Sequence, residues 1–265
     1  MGMRIALALE YDGSRFLGWQ TQPGGGTVQD ALQEALGAIA GERIGVTCAG
    51  RTDRGVHALG QVVHFDTGAA RPGSAWVRGA NALLPESVAV QWAQEVPPEF
   101  HARYGARERS YRYVLINRAV RPALAARHAG WFHLPLDVAA MRAAARHLVG
   151  EHDFSSFRSA ECQAKSPVRT LLALDIETRG ERIDFVLRAN AFLHHMVRNI
   201  VGTLVTVGKG KQPPAWAGAV LDARDRARAA PTFPAQGLYL ERVAYAASWG
   251  LPQQASPAQR IPVLP

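Results

Sequence analysis

The feature that most limits the folds open to this chain is the order of its periodic segments, which reads strand, helix, strand, strand, helix, strand twice over. Residues 4–10 alternate, with Ile5, Leu7 and Leu9 on one face of a strand. Thr27 is placed to cap a helix whose stripe is Val28, Leu32, Leu36 and Ile39. Apolar runs at 44–49 and 61–65 read as strands. Ser74 opens a helix carrying Trp76, Val77, Ala80 and Leu83, Pro85 stops it, and 88–96 gives the fourth strand. After Pro97-Pro98 the order returns: a strand at 109–116, a helix at 137–149 closed by Gly150, a polar loop over 151–167, hairpin strands at 169–178 and 182–190, a helix at 192–207, a short helix at 215–221 and a strand at 237–245. The repeat is one of order, without similarity between residues.

This order predicts an α/β (α+β) fold of two ferredoxin-like, RRM-like βαββαβ halves that join antiparallel sheets around a central basic cleft. The halves are expected at residues 1–97 and 98–250, and the four prolines of 251–265 mark an extended or disordered tail. Single-stranded or distorted nucleic acid is the natural occupant of such a sheet face.

Charge narrows the partner. The formal net charge is +8 and the pI near 10.1, which favours a polyanion. Of the 30 basic residues all but Lys165, Lys209 and Lys211 are arginine, the side chain suited to bidentate phosphate contacts. No run approaches the length of a membrane span, and the start alternates instead of forming a signal peptide, so no membrane association and a cytoplasmic location are expected. Cys48 and Cys162 are too far apart in sequence to suggest a zinc site or a disulfide framework, and Cys48 reads as a buried strand residue. Gly24-Gly25-Gly26 precedes a helix but lacks the P-loop and GxGxxG patterns, so no nucleotide cofactor is expected.

The candidate reactive loop is Gly50-Arg51-Thr52-Asp53-Arg54-Gly55-Val56-His57-Ala58. Asp53 lies between two arginines, whose charge favours its ionised form. An ionised carboxylate suits nucleophilic or base chemistry, and the glycines permit positive φ or close approach to a ligand. An ordinary alternative is an aspartate that caps a turn and pairs with a neighbouring arginine.

Two other clusters share this chemistry. Arg109-Ser110-Tyr111-Arg112-Tyr113 places aromatics on one strand face and cations on the other, a pattern able to stack a base and hold phosphates, or equally an ordinary half-buried strand. On the helix expected at 192–207, the residues His195, Arg198 and Asn199 fall opposite most of the apolar side chains. A solvated face is the plain reading, although Arg198 beside a sheet also comes within reach of a carboxylate. Adjacent histidines on one helix diverge, so no metal site is expected there.

In order along residues 4–245, the motifs Tyr11-Asp12-Gly13, Gly18-Trp19-Gln20, Thr27-Val28-Gln29, the Asp53 loop, Arg109 to Tyr113, His152-Asp153-Phe154, Asn190 to Asn199 and Gly237-Leu238-Tyr239-Leu240 resemble the TruA family of tRNA pseudouridine synthases. The resemblance implies a cofactor-free isomerase that converts uridine to pseudouridine at nucleotides 38 to 40 of the tRNA anticodon arm, working as a homodimer. It implies Asp53 as the catalytic aspartate, Arg198 as its basic partner and Tyr111 as the tyrosine that stacks on the target base. Arg51 matches a residue that positions the flipped nucleotide, and Arg54 and His57 complete the candidate substrate-binding set. Arg54 stands where many relatives carry lysine; the charge is kept and the contact geometry changes. Two other classes compete with this reading. One is a non-catalytic RNA-binding module; the other, a metal-dependent nuclease, is poorly served by one carboxylate among arginines.

Overall fold

The computed structural model describes residues 2–252. Within it the chain forms two compact units, one of the residues up to Arg107 together with those from Tyr239 onward, the other Glu108–Leu238. Among the described residues the secondary structure comprises ten strands and five α-helices, a mixed α/β fold with mostly antiparallel strand pairing.

The first unit opens with β1 (Met3–Tyr11), α1 (Val28–Ala40), the two-residue β2 (Thr47–Cys48), β3 (His57–Thr67), α2 (Gly73–Leu83) and β4 (Val88–Val96). In β1 the residues Ile5, Ala6, Leu7, Ala8 and Leu9 are all buried, so both faces of this strand are covered and its alternation of large and small residues is one of size. Antiparallel pairing places β1 between β3 and β4. Thr27 caps α1 as expected: its side chain accepts from the Asp30 amide while the Asp30 carboxylate accepts from the Thr27 amide, and Gly41 ends the helix at φ 73°. Asn81 of α2 holds β4 in place by bonding both backbone groups of Val90, at 2.9 and 2.7 Å. Trp76 of α2 is fully buried edge-to-face on Phe65 of β3.

The second unit runs β5 (Glu108–Asn117), β6 (Gly130–Phe132), α3 (Val138–Arg146), β7 (Gly150–Asp153), β8 (Val168–Arg179), β9 (Arg182–Ala189), α4 (Met196–Gly208) and α5 (Trp216–Ala223). Its sheet is ordered β5-β9-β8-β7 with antiparallel pairs, and β6 adds a short parallel pair to β5. The last strand, β10 (Leu238–Ala244), closes on the first unit: Tyr239 and Leu240 pair in parallel with His57 and Ala58. β1 occupies one edge of β3, so β2 and β10 divide the other between them.

Several boundaries differ from the sequence reading, each for a local reason. The join falls at Arg107/Glu108 instead of at Pro97-Pro98, and the strand expected at 237–245 groups from Tyr239 on with the first unit, where Tyr239 and Leu240 pair with β3. The strand expected at 44–49 shrinks to two residues: before it the Val46 amide is taken by the Gln33 side chain, and beyond Ala49 the Gln61 side chain takes the backbone bonds of Gly50. β3 begins at His57, four residues early, where β10 pairs with it. The helix expected from 192 begins at Met196, because His195 sits at φ 64°, a left-handed conformation that breaks the helical path. The polar loop over 151–167 contains β7 residues and the fully buried Phe154 and Phe157. The proline-rich tail lies, from residue 253 on, outside the described residues. No helix among the described residues is long and apolar enough to cross a membrane.

Candidate active site

The Asp53 loop leaves the sheet after Ala49, whose amide bonds the Val62 carbonyl at 2.8 Å. The Gly50 peptide groups then pair with the side chain of Gln61, which is fully buried: Nε2 donates to the Gly50 carbonyl at 2.6 Å and Oε1 accepts from the Gly50 amide at 3.4 Å. Thr52 is buried and doubly held, its hydroxyl 2.8 Å from Tyr11 Oη and its carbonyl accepting from the Trp19 amide at 2.9 Å. The chain reverses over Asp53-Arg54-Gly55-Val56, where the Val56 amide donates to the Asp53 carbonyl at 3.1 Å and Gly55 adopts φ 78°. That is the turn geometry in which the third residue needs positive φ.

Two glycines press on this turn from behind. A Cβ at Gly18, which lies at φ 104°, would come within 3.0–3.2 Å of Thr52 O, Arg54 N and Asp53 C, and one at Gly13 would overlap Val56 O. The backbone around Asp53 is therefore set by main-chain packing and by three buried polar side chains, those of Tyr11, Thr52 and Gln61. Asp53 itself is half-buried, with Arg51 and Arg54 exposed on either side in sequence.

His57 lies beneath the loop instead of on it. It is buried, and its ring stacks on Tyr239 with centroids 4.7 Å apart. Its Nδ1 stands 3.1 Å from both the Gly13 amide and Asp12 Oδ1. Unprotonated, that nitrogen accepts from Gly13; protonated, it donates to Asp12. The His57 hydrogen bond, aided by the Ser14 amide, holds the Asp12 carboxyl well below the usual carboxylate range. Cys48, at the loop's entry, is buried as expected, and burial pushes its thiol up to about 12.

Tyr111 and Arg198 belong to the second unit. Tyr111, on β5, is nearly buried and meets Phe192 edge-to-face at 4.9 Å. Tyr113, two residues on, is fully buried with its hydroxyl donating to the Pro234 carbonyl at 2.9 Å. Gly130 and Gly237 make room for it, since a Cβ on either would come within 2.6 Å of its ring or hydroxyl. Arg112 does not hold phosphate as the alternation suggested. It is buried, with Nη1 at 2.9 Å from Asp184, which also receives Arg182 Nε at 2.7 Å. A cation spent in a buried pair is a structural element.

Arg198 is half-buried in the first turn of α4, and its Nε donates to the Phe233 carbonyl at 2.8 Å while the Phe233 amide returns a bond to the Arg198 carbonyl at 3.2 Å. The neighbouring Asn199 corrects the expectation of a solvated face. It is fully buried, donates to the Phe157 carbonyl at 2.8 Å, and accepts from Thr232 Oγ1 at 2.7 Å and Arg226 Nη2 at 3.1 Å. This face of α4 is covered by the 226–233 segment, into which Gly202 also packs. Sequence reasoning missed Gln61 and Asn199 as supports. Their signal was a polar residue within an otherwise apolar run, which is rarely tolerated unless its hydrogen bonds are made.

The family model described as tRNA pseudouridine synthase matches residues 7–105 and 144–246, which include the Asp53 loop, the Gly18 and Gln61 supports and Arg198. The tRNA pseudouridine synthase A of Burkholderia thailandensis is 59% identical over 250 residues, covering 94% of this chain and 93% of the relative. That of Dechloromonas aromatica is 57% identical over 250 residues, covering 94% and 95%. A solved chain from an archaeal box H/ACA sRNP Nop10-Cbf5 complex is 12% identical with a TM-score of 0.35, over 76% of this chain and 44% of that one, too slight a likeness to argue from. With a family model spanning most of its length and relatives more than half identical over 94% of it, the chain belongs to the tRNA pseudouridine synthase family.

Proposed function

We propose that this protein isomerises uridine to pseudouridine at nucleotides 38 to 40 of the tRNA anticodon arm, with Asp53 as the reactive carboxylate and without a cofactor. The observation that carries the reading is the clamped turn at Asp53: buried hydrogen bonds and two glycine contacts fix its backbone inside the segment that the family model matches. Preorganisation of this kind is what a group meeting a reacting carbon needs.

The reaction breaks the bond between N1 of uracil and C1′ of ribose, turns the base, and joins C5 to C1′. The C5 hydrogen leaves as a proton and N1 ends protonated, so atoms and electrons balance with nothing added. A carboxylate serves either by attacking C1′ or by removing the C2′ proton, and both routes regenerate it. The target base must leave its stack before any of this. Tyr111 is proposed to receive it, edge-braced by Phe192. Arg51 and Arg54, exposed beside Asp53, are proposed to hold the phosphates of the displaced nucleotide. Arg198 is proposed as the cation paired with Asp53; its support is the family resemblance. His57, buried behind the turn, is assigned to positioning. The same reading makes the protein a cytoplasmic homodimer.

The test is to incubate unmodified tRNA transcripts with the pure protein in buffer containing chelator and no added small molecule, then map pseudouridine along each transcript. The proposal expects it at 38 to 40 alone. Modification elsewhere, or none, overturns it.

A further inference from the structure

Beyond the reactive loop, the segment after β4 exposes an aromatic side chain on a rigid mount. Tyr104 is 76% exposed, yet its backbone is fixed on all sides. His101 Nδ1 accepts from the amides of both Arg103 and Tyr104 at 3.2 Å, and the His101 carbonyl accepts from the Gly105 amide at 2.8 Å. Ala102 is held by its amide bond to His64 Nδ1 at 3.1 Å and by the Tyr245 hydroxyl on its carbonyl at 2.6 Å. Phe100, fully buried against Tyr245 and Trp249, anchors the segment. The imidazole of His101 lies against the Tyr104 ring with centroids 4.3 Å apart, and is itself backed by His64 at 4.8 Å. The Arg103 guanidinium stands 5.6 Å from the centre of the Tyr104 ring.

Such a side chain has already given up much of the freedom that binding would cost it. Its surroundings also carry a charge signature. Arg103 is exposed, as Tyr104 is. Exposed arginine around an exposed aromatic, on a chain of net charge +8, is the composition of a surface that takes bases by stacking and phosphates by charge.

We propose that the His101–Tyr104 turn is a stacking platform for an unpaired base of the RNA substrate, with Arg103 taking a neighbouring phosphate. The inference rests on the tRNA reading above and deepens it: substrate is gripped at a second aromatic point, outside the reacting nucleotide. A base–aromatic contact of this kind is worth roughly tenfold or more in affinity when truncated to alanine.

The experiment measures tRNA binding and steady-state kinetics for the full-length wild type and for Tyr104→Ala, Tyr104→Phe and Arg103→Gln. Tyr104→Ala is expected to weaken binding about tenfold, with the kinetic loss mostly in KM, and Tyr104→Phe to restore it. Arg103→Gln is expected to lower the slope of log Kd against log salt by about one. Because Tyr104 is exposed, thermal melting should show all variants folded as the wild type is. Unchanged affinity in Tyr104→Ala overturns the platform, as does a change in its oligomeric state by light scattering, which would make the turn an interface between protein copies. An active wild type beside an unaffected Tyr104→Ala sinks this inference alone; a wild type that modifies no tRNA sinks the functional reading.

Discussion

Gly18→Ala is the substitution that probes most sharply how the turn at Asp53 is held. Two costs can be worked from the structure. The backbone at φ 104° is one that alanine adopts only with strain, about 1–2 kcal/mol. The new methyl would also meet Thr52 O, Arg54 N and Asp53 C at 3.0, 3.1 and 3.2 Å, so the reactive turn must move away by a few tenths of an ångström. Overpacking of this sort adds roughly 1–3 kcal/mol. The expected loss of stability is therefore about 2–5 kcal/mol, and the displaced carboxylate should lower kcat by roughly tenfold or more, since even an ångström of misplacement costs about a hundredfold. Gly24→Ala supplies the control: Gly24 has a similar φ of 95° and no atom within 4 Å of where the methyl would stand, so it carries the strain without the push on the turn. The assay is pseudouridine formation on a tRNA transcript at saturating substrate, alongside urea unfolding of both variants. Equal kcat in the two variants, with Gly18→Ala still folded, would refute the claim that contact with Gly18 aims Asp53.

Other expectations follow from the buried charges. Asp184→Ala should destabilise the fold by about 3–5 kcal/mol in urea unfolding, because Arg112 and Arg182 would lose the buried carboxylate they share, leaving Arg112 only the more exposed Glu177 at 3.6 Å; a loss below about 1 kcal/mol would refute the reading of Arg112 as a structural cation. Burial, together with Arg4 and His101, pushes the His64 imidazole down to about 4. Its unfolded value is about 6.5, so the unfolded chain takes up that proton first as pH falls, and the loss of stability runs from pH 6.5 down to 4. Between pH 7 and 5 this group alone should cost about 2 kcal/mol. His64→Asn, which keeps an acceptor for the Ala102 amide, should flatten that part of the curve; an unchanged slope would contradict the assignment.

What the sequence made legible was whatever a periodic pattern or a cap encodes locally. α1 begins at its Thr27 cap, β4 spans the residues expected of it, and the β8-β9 hairpin turns where Arg179-Gly180-Glu181 directs. The loop around Asp53 stands out as a candidate for the same reason, as a dense local motif. What was hidden depends on partners distant in sequence. β2 starts late because Gln33, thirteen residues back, takes the Val46 amide; Asn199 is buried by a segment some thirty residues downstream; and Arg112 is drawn into the interior by Asp184 across the sheet. His195 broke its helix early through a backbone conformation that no periodicity announces. The Tyr11 and Gly18 motifs were visible in the sequence, but only the fold shows that they pack on the back of the Asp53 turn.

The central claim is that one carboxylate does the chemistry. Isomerisation releases the hydrogen on C5, so tRNA carrying tritium at C5 of uridine reports each turnover as radioactivity in water. Asp53→Asn keeps the side-chain shape and removes only the charge. The account predicts that this variant melts and binds tRNA as the wild type does and releases no tritium above background; release at the wild-type rate would contradict it.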